Sequence, residues 1–303
     1  MKICVLTSCS VLSGKYASAL YALAENQEVT LIVKAGWDSN EVYKKRSSLR
    51  NKFISLSPGI LREAEQAYTK AGIKLRSRFK KRPKKNRVIQ KPEVSSLALN
   101  TENMSDTLKN FHSGLRGCEV CEGGVLRTGL YRCSFSEDLK RKISDKAEIV
   151  VLLGFNNLIS RDSLRPSKYG ILSFHPADTS SYRGRPGSFF EWLNKEKLHG
   201  LTLQRLNETI DGGEIICQRF VDFDTDKPFI IAKDNARKKL NKFWAEMIIE
   251  GIKRVEANEE FNIPRPVSVS RTEDADAWQN IRKYLIRSLQ VRARGFRGPI
   301  NNG

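Results

Sequence analysis

Histidine is scarce in this chain, with three among 303 residues, and methionine is equally rare. So few imidazoles leave few candidates for general acid–base work, and each can be weighed singly. No apolar run approaches the ~18–20 residues a membrane-spanning helix needs, which argues against a transmembrane protein. The opening run Ile3-Cys4-Val5-Leu6 is too short for the apolar region of a secretion signal, so the sequence predicts a cytoplasmic protein. Six cysteines cannot scaffold a chain of this length and read as reduced thiols in that compartment. G-x-G-x-x-G is missing, which leaves a dinucleotide site unsupported, and no internal repeat suggests a solenoid. Acidic residues are outnumbered, 34 against 53 Lys and Arg, for a formal net charge of +19.

That excess is concentrated. Between Lys44 and Lys91 stand 17 Lys/Arg against two acids, Glu63 and Glu65, while the remainder is close to balanced. The stretch is sharpest at Arg78-Phe79-Lys80-Lys81-Arg82-Pro83-Lys84-Lys85 and reads as a basic insertion in a near-neutral core. A solvated arm is the plain reading. A contact for phosphate-rich partners, nucleic acid or a nucleotide-linked substrate, is the functional one. Hydrophobic residues make up 40% of the chain, enough to bury a real core.

The spacing predicts an α/β fold. A compact apolar strand at 3–7, a small-residue turn, a helical stripe of Tyr16, Leu20 and Leu23, and a β-rich run at 29–33 make a βαβ opening, which implies a parallel sheet. Regularity fades from Trp37 to Ser136. It resumes with a helix at 137–144, strands at 148–153 and 170–174, a helix at 188–194 and strands at 200–206 and 214–220. One long helix is expected over 230–255, with Leu240, Phe243, Trp244, Met247 and Ile248 buried, then a basic amphipathic segment around 278–289. The expected division is a core over 1–225, with the irregular basic insertion at about 40–136, and a long helix plus basic extension over 226–303.

His175 directly follows a buried strand, where ligands collect in open α/β sheets. A nearby carboxylate could orient its imidazole, and Asp211, in a glycine-flanked loop between two strands, is the candidate. His199 reads as a surface turn residue. Spacing alone leaves a structural histidine as good a reading of His175 as a catalytic one.

Four segments occur in a fixed order: Ile171-Leu172-Ser173-Phe174-His175-Pro176, Ser181-Tyr182-Arg183-Gly184-x-Pro186, Gly200-Leu201-Thr202-Leu203 and Ile210-Asp211-Gly212-Gly213-Glu214-Ile215-Ile216. Together they resemble the core of formyltransferases that use 10-formyltetrahydrofolate, a family including glycinamide ribonucleotide, methionyl-tRNA and amino-sugar enzymes. The similar stretch is roughly 147–220, with a compatible start at 1–35. The resemblance implies a Rossmann-like formyltransferase core, a folate formyl donor and a small-molecule amine acceptor, with no metal required. It puts the family's Asn-x-His on Ser173-Phe174-His175 and its aspartate on Asp211. Leu152, Leu153, Gly154, Ile210 and Gly212 would line the pterin pocket, largely through their backbone. Ser8, Ser10, Arg183 and Gly184 would meet the acceptor. Ser173 departs from the family's asparagine: a hydroxyl is shorter than a carboxamide and supplies one donor. Asn156 or Asn157 could compensate, or transfer could be weak or lost.

Among the acceptors, a nucleotide-linked amino sugar is preferred by elimination. Methionyl-tRNA or another amine, hydrolysis of the formyl donor, and folate or RNA binding without catalysis stay open, as does the oligomeric state. The thiols add one incomplete constellation, His112 with Cys118, Cys121 and Cys133, which could form a structural zinc site. With a single C-x-x-C pair, unligated thiols are the expectation.

Overall fold

A computed structural model of the protein describes residues 1–36, 96–99, 104–129, 131–183, 188–264 and 282–291. The basic stretch 44–91, Gly184 and residues 278–281 lie outside the described residues.

Seven strands build the main sheet: β1 (Lys2–Thr7), β2 (Glu28–Lys34), β3 (Glu119–Glu122), β4 (Ile149–Leu152), β5 (Ile171–His175), β6 (Leu198–Arg205) and β7 (Glu214–Asp222). Their order is β7-β6-β5-β4-β1-β2-β3. From β3 to β5 every neighbour is parallel, and β6 and β7 add an antiparallel hairpin at one edge. This is a Rossmann-like α/β fold with a mostly parallel sheet.

The central strands are apolar at nearly every position because both sheet faces are covered. On one face Ile3, Val5, Val151 and Leu172 pack with α1 (Lys15–Asn26) and α5 (Trp244–Glu256), whose Leu20, Leu23, Met247, Ile248 and Ile252 are buried. On the other, Cys4, Leu6, Val150, Leu152 and Ile171 meet Leu139 and Ile143 of α2 (Glu137–Lys146). Ser136 caps α2, its Oγ accepting from Leu139 N at 3.2 Å, and Glu137 and Asp138 in the first turn favour the positive helix end.

Three expectations are corrected. The span expected as one helix over 230–255 is two, α4 (Phe229–Leu240) and α5, joined by a 3₁₀ turn at Asn241–Phe243. Asparagine favours turns over helix interiors, and the break brings Trp244 onto Phe174, with stacked rings 4.0 Å apart. The stretch to Ser136 is not irregular throughout. It holds β3, a helix at Met104–Phe111 and short strands at Val125–Arg127 and Arg132–Phe135. β3 lies at a sheet edge and shows no clean alternation, so its pattern is weak. His199 is no surface residue: it lies on β6 and is 2% exposed.

A small third core joins α3 (Phe189–Leu193) and α4 to a helix at 282–291. Trp192 is fully buried there against Tyr284, and the Arg287 guanidinium stands 4.8 Å over its ring.

Candidate active site

β1, β4 and β5 run parallel and end along one edge of the sheet. From β1 the chain extends the sheet to one side through β2, whereas β4 lies on the other side, so the β1/β4 boundary is a topological switch point. Loops diverge at such a point and leave a crevice. Ser8, Cys9 and Ser10 follow β1, Leu153 and Gly154 follow β4, and His175 is the last residue of β5.

Gly154 joins the first two loops. Its φ is +71°, and a Cβ there would stand 2.5 Å from Cys9 Sγ and 3.4 Å from Tyr16 Cε2. Cys9 donates its thiol proton to Gly154 O at 3.6 Å, and Cys9 N donates to Thr7 Oγ1 at 3.0 Å. Ser8 Oγ is buried with no hydrogen-bond partner among the described residues. Ser10 is exposed at the rim, where its carbonyl accepts from Leu99 N. The side chains of Leu152 and Leu153 belong to the two core clusters, so only their main chain can face a ligand.

Ser173 and His175, two apart on a strand, share one face, while Phe174 points to the other and packs on Trp244. The β6–β7 turn brings Asp211 to His175, with Oδ1 3.2 Å from Nδ1 and side-chain exposures of 20% and 12%. Nε2 of His175 is buried and has no hydrogen-bond partner among the described residues. One nitrogen therefore faces a carboxylate while the other is available to a ligand. Asn156 is exposed and Asn157 half-buried on the loop after β4.

Arg183 is buried and its guanidinium reaches main chain at two points, with Nε donating to Thr179 O at 3.0 Å and Nη2 to Pro264 O at 3.1 Å. A Cβ on Gly212 would lie 3.0 Å from its Nη1, so Arg183 supports the turn that carries Asp211. Ile210 in that turn is half-buried.

Sequence reasoning missed Lys15 as a neighbour of this region. Its Nζ stands 4.0 Å over the Trp244 ring. Burial, and then the nearby Arg237 charge, pull its ammonium down to about 8. Only tertiary packing could reveal it, since Trp244 is more than two hundred residues away in sequence.

The thiol constellation is not assembled. His112 packs on Tyr21 of α1, with rings 4.5 Å apart, and its Nδ1 accepts from Gly114 N at 3.0 Å. Cys133 belongs to the core cluster on the opposite face of the sheet and donates to Leu158 O. Burial pushes the Cys118 and Cys133 thiols up to about 12 and raises that of Cys121. Among the described residues no group of three or more His, Cys, Asp or Glu is placed to hold a metal.

Residues 129–242 match the family model of formyl transferase. This segment, well under half of the chain, is similar to the formyl transferase family. The matched segment contains β4 to β7, with His175 and Asp211 inside it. The methionyl-tRNA formyltransferase of Carboxydothermus hydrogenoformans is 30% identical over 122 residues, 40% of this chain and 38% of that protein. That of Thermotoga neapolitana is 28% identical over 112 residues, 37% and 34% of the two chains. The chain thus matches little more than a third of the length of these curated relatives. Among solved structures, glycinamide ribonucleotide transformylase 1 from Symbiobacterium toebii aligns over 84% of this chain and 89% of its own, at 14% identity and a TM-score of 0.44. The sugar 3N-formyl transferase WlaRD aligns over 91% and 70%, at 14% identity and a TM-score of 0.42.

Proposed function

We propose that the chain is a one-carbon group transferase, moving a formyl group from 10-formyltetrahydrofolate to a primary amine. The observation that carries this reading is the His175–Asp211 pair at the carboxyl end of β5, inside the segment that matches the formyl transferase model, with Nε2 unpartnered among the described residues. In this mechanism the amine nitrogen attacks the formyl carbon and the bond from that carbon to folate nitrogen breaks. The nitrogen being formylated loses a proton and the departing folate nitrogen gains one. His175, protonated on both nitrogens, donates from Nε2 to the oxyanion that develops on the formyl oxygen. Asp211 balances the imidazolium, fixes the ring through Nδ1, and takes up the amine proton directly or through water. Ser173 is the second donor to the oxyanion, shorter than the family's carboxamide. The main chain at Leu152–Gly154 and the turn with Ile210 and Gly212 would line the folate pocket, and Ser8 and Ser10 would border the acceptor.

The preferred acceptor is an amine on a nucleotide-linked sugar. Lys15 supports it: its ammonium over the Trp244 ring feels the nearby Arg237 charge and has no acid paired with it among the described residues, which suits an anionic diphosphate. Methionyl-tRNA is the second reading, favoured by the curated relatives and by a net charge of +19 with its basic stretch at 44–91.

The test is release of tetrahydrofolate from 10-formyltetrahydrofolate with nucleotide amino sugars, with methionyl-tRNA and with no acceptor, using Asp211→Ala as control. Acceptor-dependent release lost in the control is the expected result. Release without acceptor would make the protein a hydrolase, and folate binding without release would make the pocket a binding site only.

A further inference from the structure

Asp211 meets His175 from a backbone conformation that few non-glycine residues adopt, aspartate among the more tolerant. Its φ is +49°, in the left-handed region, where a Cβ crowds the following carbonyl. Such a residue stays there only when its surroundings hold it. The turn from 207 to 213 supplies that restraint, and one side chain closes it from both ends. Asn207 Oδ1 accepts from Thr209 N at 2.8 Å, and Asn207 Nδ2 donates to Gly212 O, also at 2.8 Å. These bonds clamp the backbone before and after Asp211. The turn is completed by Gly212 N donating to Thr209 O at 3.1 Å and by Gly213 N donating to Gln204 Oε1 at 3.1 Å. Of these contacts, the pair made by Asn207 alone spans the Asp211 position with a side chain.

We propose that Asn207 is a positioning residue: by clamping the turn at Thr209 and Gly212 it holds the Asp211 carboxylate against His175 Nδ1. This rests on the reading of His175 and Asp211 as the working pair. Asn207 touches neither reacting group and acts only through Asp211. Its amide is matched to the task, since one atom must accept and another donate, with no charge beside the carboxylate. A carboxylate at 207 would lose the donor and repel Asp211. Alanine would lose both bonds.

The measurement is the tautomer of His175, read from side-chain ¹⁵N shifts in long-range ¹H–¹⁵N correlation spectra with the ring neutral. With three histidines, assignment by substitution is direct. A carboxylate at Nδ1 holds the proton on that nitrogen, whereas a free neutral histidine favours the proton on Nε2. Asp211→Ala marks the full loss of the clamp's effect. Asn207→Ala is expected to move the His175 shifts at least halfway to those of Asp211→Ala, with His112 and His199 unchanged. Asn207→Ser, which keeps an acceptor for Thr209 N, should move them less in the same direction, and it decides the matter should the alanine variant fail to fold. A folded variant with the wild-type His175 shifts overturns the proposal. The spectra need no substrate, so this result is separate from the transferase reading, which fails if Asp211→Ala transfers formyl at the wild-type rate.

Discussion

In the proposed mechanism the working geometry depends on a few atoms at the end of β5. If His175 donates to the oxyanion, His175→Ala should lower the transfer rate about 100- to 1,000-fold, the cost of losing one preorganised donor. Steady-state rates at saturating donor check this, and a loss below tenfold would remove His175 from the reaction. Ser173→Asn restores a longer donor on the same face and is expected to raise the rate, read in the same assay. Lys15 adds a pH dependence whose sign follows from its lowered value. With the ammonium near 8, it is charged below that pH and neutral above it. The KM for a phosphorylated acceptor should therefore rise as pH passes through about 8, and Lys15→Met should flatten that rise. An unchanged profile in the variant would assign the anion contact elsewhere.

Elements hold these atoms by contacts that punctuation and periodicity only partly announce. At Gly154, alanine would need φ +71° and would press its Cβ to 2.5 Å from Cys9 Sγ. A loss of about 1–3 kcal/mol is expected from that strained position, checked by urea denaturation. A buried polar trio lies between α3 and β6: Ser188 Oγ is hydrogen-bonded to His199 Nε2 at 3.0 Å, and Glu191 Oε1 stands 3.2 Å from His199 Nδ1 without hydrogen-bond geometry. All three residues are at most 3% exposed, so removing His199 leaves Ser188 Oγ without this partner and the Glu191 carboxylate without its neighbouring imidazole, both out of reach of water. His199→Ala should cost about 1–3 kcal/mol in the same denaturation experiment, and a neutral result would mean the trio is not coupled. That role is the opposite of the surface position its glycine neighbour suggested, because the sequence carries no mark of which side of a strand end is covered.

At the scale of the whole molecule, charge is the dominant feature. A net charge of +19, with 17 bases in the stretch 44–91, predicts non-specific RNA binding that weakens steeply as salt rises. Neutralising Lys80, Lys81, Lys84 and Lys85 to Gln should flatten the salt dependence, measured by fluorescence anisotropy, while leaving transfer to a small amine intact. An unaltered slope would show that these lysines make no phosphate contacts. Among the described residues no helix is long and apolar enough to cross a membrane.

The sequence by itself determined the layers. Continuous apolar runs marked β1 and β4 as strands buried on both faces, and the 3.6-residue stripe of Tyr16, Leu20 and Leu23 marked α1. It also offered His175 and Asp211 as candidates, since a histidine ending a buried strand and an aspartate in a glycine turn are local signals, though only the resemblance of the surrounding segments favoured a catalytic reading over a structural one. Tertiary structure alone decided what depends on distant partners. It broke the expected long helix so that Trp244 could meet Phe174, it buried His199, and it put His112 and Cys133 on opposite faces of the sheet. The left-handed backbone of Asp211 and the two hydrogen bonds of Asn207 belong with these. Periodicity records which face of an element is apolar, and no local pattern records which residue from another element will lie against it.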